Sequence, residues 1–340
     1  MKKSWKKIAA ALLAAAMLLT SGCGKKENTE EAARVTLNEV AHSIFYAPQY
    51  AAIELGYFKE EGIELTLVTG FGADKTLTAV VSGEADIGFM GSEASIYAYS
   101  QGASDYVINF AQLTQRAGNF LVAREEMPAF TWDDLKGKKV LGGRKGGMPE
   151  MVFEYILRQK ELDPAKDLSI DQSIDFGSTA AAFAGDQSKY DYTVEFEPFA
   201  TGLELEGNGY VVASLGTDSG YVPYTAYCAK KSYLAMHPDL IQRFTSALQK
   251  GMDYVNSHTA EEIAKTIQPQ FKDTPVEKIA TIVDRYKSQD TWKENTVFEK
   301  DSFELLENIL EESGELKKRV PYEKLVRTDF SINAVNVVQK

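Results

Sequence analysis

The feature of this chain that most restricts its fold is an internal repeat. The segment "TGFGADKTLTAV", residues 69–80, resembles "DFGSTAAAF", residues 175–183, and pairing the two Phe-Gly dipeptides sets an offset of 105 positions. The same offset pairs Asp86 with Asp191, and an offset of 104 pairs "YVINFAQL" with "YVVASL". An ordered series of matches across three apolar segments predicts two copies of one structural unit.

Each copy alternates predicted strands with predicted helices. In the first copy the strands are "RVTLNEVA", "IELTLV" and "ADIGFM", and one helix is expected from Pro48 to a glycine stop at Gly62. In the second copy the strands are "KKVLGG", "LSIDQSIDF" and "YTVEFEPF", and "MPEMVFEYILRQKE" is the first helix. Because strands that alternate with helices form parallel sheets covered by helices, we predict an α/β fold with two similar lobes.

The N-terminal segment predicts export and attachment to a membrane. The chain opens "MKKSWKKIAAALLAAAMLLTSGCGKK", with four lysines in its first seven residues and then a short apolar run. This pattern is typical of a signal peptide, here residues 1–22, and is too short for a membrane span. "LLTSGC" resembles the bacterial lipobox, which implies a lipid on Cys23, although Thr20 stands where Leu, Val or Ile is usual. Residues 23–33 are then a polar linker on the extracytoplasmic face of the cell membrane. The alternative is cleavage to a soluble secreted protein.

Composition and residue types argue against several functions. The net charge of −12, with no cluster of Lys and Arg beyond the signal, argues against nucleic-acid binding. The histidines are His42, His237 and His258, and none has a second His or Cys at the spacing of a metal site, so we expect no metal and no cofactor. Cys228 is expected to be a small buried core residue.

Four glycine-rich or small-residue turns stand where a predicted strand leads into a predicted helix. They are "TGFGAD", "FMGSEAS", "GGRKGGMPE" and "DFGSTA". In open α/β sheets, ligands bind beyond the carboxyl ends of the strands, where helix N-termini present unpaired N–H groups and a partial positive charge. We therefore expect these turns to line a ligand cleft between the lobes. The alternative is that the glycines only permit tight turns.

Several segments resemble one protein family. "SIFYAPQYAAIELGYFKEEGIELTLV", "SGEADIGFMGSEASIYAYSQG", "WDDLKGKKVLGGRKGG" and "YDYTVEFEPFAT" are similar to substrate-binding lipoproteins of ABC importers in the nitrate, alkanesulfonate/taurine and thiamine-precursor group. The resemblance covers essentially the whole mature chain. Its strongest elements are the early helix and the Gly-x-x-Asp-Ile-Gly segment, carried by Pro48, Ala52, Gly56, Tyr57, Phe58 and residues 83–88.

The resemblance implies a type II periplasmic-binding-protein fold and a function in transport. Lobe one would comprise residues 34–122 and 226–340, and lobe two residues 123–225, with "NFLVARE" and "YTAYCAKK" as hinge strands. Closure of the lobes would trap a small-molecule solute for delivery to an ABC permease and its ATPase. We expect a monomer that is held at the membrane by its lipid and that performs no chemistry. The helical C-terminal portion is expected to pack on lobe one.

An enzymatic alternative rests on His42. In the related pyrimidine synthases, a histidine from this general region is consumed as substrate. Those enzymes also carry a cysteine-rich motif, which this chain lacks. We therefore prefer the receptor, and expect His42 to lie at the cleft rim.

Two classes of solute remain open from the sequence. An anion such as a sulfonate or nitrate would suit the helix N-termini, with Ser92, Ser95, Ser178, Thr179, Arg144 and Lys145 nearby. A flat heterocycle such as a thiamine pyrimidine precursor would suit aromatic rings near strand ends, which are Phe45, Tyr46, Phe71, Tyr97, Tyr192, Tyr221 and Tyr224. Glu93, Glu195 and Glu197 could hold an aminopyrimidine while repelling an anion.

The predicted ligand-binding set combines both classes. It consists of His42, Phe45, Tyr46, Phe71, Gly72, Ser92, Glu93, Arg144, Gly146, Gly147, Ser178, Thr179, Glu195, Glu197 and Tyr221. Substitution of Glu195 or Arg144 is expected to weaken solute binding, whereas Asp86 and Asp191 are expected to be structural residues at equivalent places. The alternatives are that Arg144 and Lys145 form a solvated turn and that the glutamates make ion pairs with the neighbouring lobe.

Overall fold

The computed structural model describes residues 31–175 and 177–338. The predicted signal peptide, the predicted lipidation site Cys23, most of the predicted linker and Phe176 of the repeat therefore lie outside the described residues. Within the described ranges the strands, in chain order β1 to β10, are Ala33–Glu39, Ile63–Thr69, Ile87–Gly91, Val107–Thr114, Asn119–Ala123, Lys139–Leu141, Ser169–Asp171, Tyr192–Phe196, Tyr210–Ser214 and Thr225–Lys230.

The α-helices of the same ranges are numbered α1 to α15. They are Ala47–Glu54, Tyr57–Glu60, Ala73–Ser82, Glu93–Ser100, Met148–Gln159, Thr179–Gly185, Phe199–Leu205, Leu215–Asp218, Lys231–Met236, Pro238–Ser257, Ala260–Ile267, Val276–Ser288, Lys300–Glu312, Tyr322–Leu325 and Asp329–Val338. Short 3₁₀ helices occupy Ile44–Tyr46, Trp132–Leu135 and Gln268–Gln270. No helix in this part of the chain combines the length and apolar character that crossing a bilayer requires.

The strands form two five-stranded sheets of matching topology. The first has the order β2-β1-β3-β10-β4 and the second the order β7-β6-β8-β5-β9. In each sheet four strands run in the same direction, and the fifth, β10 or β5, runs antiparallel to both of its neighbours. The two-lobe α/β fold that the repeat predicted is thus confirmed.

The two predicted hinge segments contribute a full strand to one sheet each. β5 lies between β8 and β9, and β10 lies between β3 and β4. The chain passes from the first sheet to the second within residues 115–118 and returns within residues 215–224. The first sheet is therefore completed by β10, which comes after the whole second sheet in the sequence, whereas the strands of the second sheet, β5 to β9, are consecutive in the chain.

The first helix is shorter than its pattern predicted. Instead of one helix to Gly62, α1 ends at Glu54 and α2 begins at Tyr57. Gly56 separates them with a φ of 79°, a left-handed conformation that glycine adopts without a Cβ penalty and that ends a helix. The prediction of one continuous helix was wrong because this glycine acts as the stop.

The C-terminal helices pack mainly, but not only, on the first sheet. Phe244 of α10 contacts Phe110 of β4 and Tyr227 of β10, with ring centroids 6.0 and 5.7 Å away. Tyr286 of α12 instead donates its hydroxyl to the carbonyl of Gly118 in the first crossing. The expectation that this portion packs on lobe one alone was too narrow, because Arg285 of α12 also pairs with Glu197, just beyond β8 of the second sheet, at 2.7 Å.

Cys228 confirms its predicted role in the core. It lies in β10 and is 1% exposed. Burial raises the pKa of its thiol to about 12, so the sulfur stays protonated at neutral pH. Such a thiol packs as a small apolar group.

Candidate functional site

A cleft of about 830 Å³, including space open to solvent, lies where strand ends of the two sheets meet. Its lining residues are Val40, Tyr46, Gly72, Ala73, Gly91, Glu93, Gly143, Arg144, Gly147, Met148, Pro149, Gly177, Thr179, Val194, Glu195, Phe196, Phe199, Tyr224 and Thr225. All four of the turns that the sequence singled out contribute to this lining. The position agrees with the general location of ligand sites in open α/β sheets.

Two of the helices that begin at the cleft have uncapped N-termini. α3 starts after Gly72 and α5 starts after Gly147, and a glycine has no side chain that could cap the helix. The first N–H groups of a helix have no partner within the helix and carry a partial positive charge. The start of α3 therefore offers N–H groups to an acceptor in or beside the cleft, whereas at α5 the N–H of Met148 faces Glu93 and Pro149 has no N–H.

Glu93 is a buried carboxyl group in the cleft lining. It begins α4 and is 2% exposed. Burial raises its pKa to about 7, opposed by the backbone N–H groups of Glu93 itself and Met148 and by the charge of Arg144. Because Met148 is the first residue of α5, this carboxyl group of the first lobe lies at a helix N-terminus of the second. Its Oε2 has no hydrogen-bond partner.

Glu195 is a second buried carboxyl group in the lining, and it comes from β8 of the second sheet. Burial raises its pKa to about 7, and hydrogen bonds from two threonine hydroxyls oppose that rise. Thr193 donates to Oε1 at 2.6 Å and Thr179 donates to Oε2 at 2.9 Å. Both oxygens of Glu195 therefore have partners within the second lobe.

Aromatic rings form much of the apolar surface of the cleft. Tyr46 and Tyr224 are each 3% exposed, and Phe199 is 43% exposed. Phe45 lies behind the two tyrosines, with ring centroids 5.2 Å from Tyr46 and 5.7 Å from Tyr224. Burial raises the pKa of both tyrosine hydroxyls well above 10, so they remain neutral donors. Such walls suit a flat, partly apolar solute.

Arg144 is the cationic side chain among the described residues that line the cleft. Its Nη2 lies 3.5 Å from Oδ1 of Asp74, near the start of α3 in the opposite lobe, and both side chains are substantially exposed. The pair therefore links the lobes at the mouth of the cleft. Glu93 and Glu195 lie deeper, so the buried lining is more acidic than basic.

The structure brings seven of the predicted ligand-binding residues together in the lining: Tyr46, Gly72, Glu93, Arg144, Gly147, Thr179 and Glu195. Eight others are not lining residues: His42, Phe45, Phe71, Ser92, Gly146, Ser178, Glu197 and Tyr221. For both groups, direct contact with a solute remains a prediction.

His42 is held by hydrogen bonds away from the cleft lining. Its Nδ1 lies 2.8 Å from Oε1 of Glu39, and its Nε2 lies 2.9 Å from the carbonyl oxygen of Gln270. Burial lowers the pKa of the imidazole, but its hydrogen bonds to the Glu39 carboxylate and the Gln270 carbonyl, together with the negative charge of Glu39, outweigh burial and raise the pKa. Both ring nitrogens are thus engaged by the protein.

Glu197 takes part in an ion pair between the lobes. It is fully buried, and its Oε1 lies 2.7 Å from Nη1 of Arg285 in α12. Thr201 donates both its N–H and its hydroxyl to the same carboxylate, at 2.9 and 2.7 Å. Glu197 lies just beyond β8, which ends at Phe196, so its carboxylate and that of Glu195 have separate partners.

The other residues outside the lining have local roles or exposed positions. Ser92 donates its hydroxyl to the carbonyl of Pro223, and Gly146 donates its N–H to Oε2 of Glu150 at 3.0 Å. Tyr221 donates to Oδ2 of Asp290 at 2.7 Å. Two further residues, Phe71, which is 61% exposed, and Ser178, which precedes α6, lie next to lining residues.

Sequence reasoning missed part of the lining. Val40 and Gly91 lie at the carboxyl ends of β1 and β3, so the rule that places ligands at strand ends could have identified both. Phe199 follows a cis peptide bond at Glu197-Pro198 and starts α7. Its place in the cleft depends on the return of the chain from β8, which no local motif signals.

Comparisons with known proteins place this chain among binding proteins. Residues 44–262 match the family described as "NMT1/THI5 like". The chain is 45% identical over 315 residues to the protein of Bacillus subtilis (strain 168) named "Putative binding protein YtlA", with 93% of each chain covered.

Solved structures of the same fold include two binding proteins that are named for their ligands. The periplasmic nitrate-binding protein NrtA from Synechocystis PCC 6803 has a TM-score of 0.74 at 16% identity, covering 91% of this chain and 90% of that one. The alkanesulfonate-binding protein SsuA from Xanthomonas axonopodis pv. citri has a TM-score of 0.70 at 17% identity, covering 88% and 99%. At these identities the likeness concerns the fold.

Proposed function

This chain belongs to the NMT1/THI5-like family, and we propose that it is an extracytoplasmic solute-binding lipoprotein of an ABC importer. It captures a small polar solute between its two lobes and delivers it to a membrane permease. The observation that carries this proposal is the cleft, which takes lining residues from strand ends of both sheets and contains buried carboxyl groups and aromatic rings. The similarity to a named binding protein over 93% of the chain supports the same function.

Capture without chemistry is favoured by the side chains that line the cleft. Among these described residues the polar groups are carboxyl, hydroxyl and guanidinium groups, and His42 is bonded to Glu39 and Gln270 outside the lining. These groups can hydrogen-bond a desolvated solute, and the lining hydroxyls of Thr179 and Thr225 are bonded to Glu195 and Thr114 rather than to a histidine base that would activate them. The position of His42 gives no support to a synthase that would consume it.

Opening and closing of the cleft would use the two crossings. Residues 115–118 and 215–224 join the sheets, and a change in their backbone angles would move one lobe relative to the other. The Arg144–Asp74 contact at the mouth would form on closure. The closed receptor would then dock on a permease and its ATPase, while a lipid on Cys23 keeps it at the membrane surface.

Two classes of solute follow from different parts of the cleft. The uncapped start of α3 supports an anion such as a sulfonate or nitrate. The rings and the two buried glutamates support a nitrogen-containing heterocycle of the thiamine-precursor kind. Neither class requires a cofactor.

The test is a thermal-shift screen of the mature chain carrying Cys23→Ser, which prevents lipidation. Sulfonates, nitrate, bicarbonate, pyrimidines, thiamine and riboflavin are added singly, because a ligand that binds the folded state raises its melting temperature. Ala73→Trp fills the cleft mouth, and Ala103→Trp places the same ring on an exposed turn outside the lining.

We expect a shift with one solute class that persists in Ala103→Trp and disappears in Ala73→Trp. A shift that is equal in the two variants would place the solute elsewhere and contradict the cleft. A chemically altered solute after incubation, detected by mass spectrometry, would favour the synthase.

A further inference from the structure

We infer that Glu93 sets the charge class of the solute, because its carboxyl group covers the N-terminus of α5 against anions and leaves Oε2 to accept a hydrogen bond from a nitrogen-bearing solute. This inference rests on the proposed receptor function. It assigns a specificity-determining role to one residue and favours one of the two solute classes.

The local structure directs the Glu93 side chain toward the opposite lobe. Glu93 begins α4 directly after Ser92, whose hydroxyl is bonded to the carbonyl of Pro223. A Cβ added at Gly91 would clash with Oε1, Oε2 and Cδ of Glu93, so the glycine at the end of β3 leaves the space that the carboxyl group occupies. The side chain is thereby held against Met148 at the start of α5.

One oxygen of Glu93 lacks a partner in a place where a solute can supply it. Among the described residues, six buried side-chain atoms have no hydrogen-bond partner, and Oε2 of Glu93 is the one that belongs to the cleft lining. An unpaired buried acceptor destabilises the protein, because it has lost its hydrogen bonds to water without replacement, and the cost is larger when the group is charged. A donor on the solute would remove that cost, whereas an acceptor would add to it.

The same carboxyl group occupies a position that would otherwise favour an anion. The N-terminus of a helix stabilises negative charge, and at α5 the charge is supplied by Glu93. Arg144 has Asp74 as its counterion at 3.5 Å. Glu195 adds a second carboxyl group, with both oxygens satisfied. An anionic solute would therefore meet two carboxyl groups without a free cation among the described lining residues.

The solute class that fits is a small, flat, nitrogen-bearing ring with N–H donors, neutral or cationic. Its donor would face Oε2 of Glu93, and its ring would lie against Tyr46, Tyr224 and Phe199. Cationic or N–H-bearing rings also interact favourably with aromatic faces. The acidic part of the cleft and its rings then act on the same molecule.

The first test measures affinity by calorimetry with four probes: benzamidine and 4-aminopyrimidine as nitrogen-bearing rings, and nitrate and methanesulfonate as anions. Wild type is compared with Glu93→Gln and with Glu307→Gln, a buried glutamate that instead accepts the N–H of Val320 at 2.7 Å. We expect wild type and Glu307→Gln to bind at least one of the rings and neither anion. Glu93→Gln should lose about tenfold or more in affinity for that ring, which corresponds to about 1.4 kcal/mol.

The pH profile separates a charge effect from a change in shape. The groups that face Glu93 are Arg144, Tyr46, Tyr97 and Tyr224, and burial raises the pKa of the three tyrosine hydroxyls above 10, so they stay neutral near pH 7. Glu150 of α5, whose pKa is raised to about 8 by burial and by Glu154, is present in both proteins. Glu195 titrates in both proteins and cancels in the comparison. With a pKa of about 7 for Glu93, wild-type affinity for the benzamidinium cation should rise about tenfold from pH 6 to pH 8 relative to Glu93→Gln.

The outcomes distinguish this inference from the receptor function. Binding of nitrate or methanesulfonate by wild type, or full retention of ring affinity by Glu93→Gln with an unaltered pH profile, would overturn the role of Glu93 and leave the receptor standing. A wild-type protein that binds none of the four probes, nor any solute of the wider screen, would overturn both.

Discussion

Asp86 and Asp191 make the same pair of contacts in the two halves of the chain. Oδ2 of Asp86 accepts the N–H of Thr36 at 2.8 Å, and Oδ2 of Asp191 accepts the N–H of Lys139 at 2.8 Å. In return, each aspartate donates its own N–H to the carbonyl of the same residue, at 3.0 and 2.8 Å. Thr36 lies in β1 and Lys139 starts β6, so each aspartate joins the central parallel strands of its sheet.

Replacement of either aspartate by alanine is expected to lower the free energy of unfolding by about 1–2 kcal/mol, because a backbone N–H loses a charged acceptor. Solute affinity should be unchanged, since neither residue lines the cleft. Urea unfolding and calorimetry measure the two quantities. A loss of affinity without a loss of stability in either variant would contradict the structural role.

The repeat predicted these equivalent aspartates because sheet pairing imposes the same local requirement twice. The alternation of strands and helices likewise predicted the sheets, their parallel strands and the glycine-rich turns at the cleft. It could not predict that β5 and β10 are inserted antiparallel within the sheets, since pairing between strands distant in sequence leaves no local periodicity.

The candidate site was predictable only in part for a similar reason. Glu93 and Thr179 follow glycine or serine turns at helix starts, so a positional rule finds them. His42 and Glu197 also lie at the ends of predicted strands, but their partners Gln270 and Arg285 come from the C-terminal helices. Which strand-end residues face the cleft is decided by such distant contacts.

Glu195→Gln is expected to change how stability depends on pH. Burial raises the pKa of Glu195 from 4.5 to about 7, so the folded state binds this proton more tightly than the unfolded state does. Because of this group, the free energy of unfolding of wild type should therefore fall by on the order of 3 kcal/mol as pH rises from about 4.5 to about 7, and then level off. Urea unfolding should show that, from pH 5 to pH 8, the free energy of unfolding of Glu195→Gln rises relative to that of wild type. Parallel pH profiles for the two proteins would contradict the raised pKa.

Arg285→Ala is expected to destabilise the protein by about 3 kcal/mol, because the fully buried carboxylate of Glu197 loses its counterion. The control is Arg34→Ala, since the Arg34–Glu64 pair has side chains 79% and 65% exposed and should contribute less than about 1 kcal/mol. Adding Glu197→Gln to Arg285→Ala should recover part of the loss. Equal unfolding midpoints for the two single variants would contradict a stabilising contact between the lobes.

Gly251→Ala is expected to destabilise the packing of α10 on α1 by about 1–3 kcal/mol. An added Cβ would clash with the carbonyl oxygen of Pro48 and lie 2.8 Å from Cβ of Ala52. Gly185→Ala is the matched control, because a Cβ there has no neighbour within 4 Å. The melting temperature of Gly251→Ala should be well below that of Gly185→Ala, and the reverse order would show that α10 can shift without cost.

The Arg144–Asp74 ion pair is expected to stabilise the closed position of the two lobes rather than to contact the solute. If so, Arg144→Ala and Asp74→Ala should each weaken affinity for the screened solute about two- to threefold, and the double variant should be no weaker than either. Because both side chains are exposed, the effect should fade at about 1 M salt, where the Debye length is about 3 Å. A much larger loss in Arg144→Ala than in Asp74→Ala, maintained at high salt, would mean that Arg144 binds the solute directly. That result would favour an anionic solute after all, since a guanidinium in contact with a cation would weaken rather than support its binding.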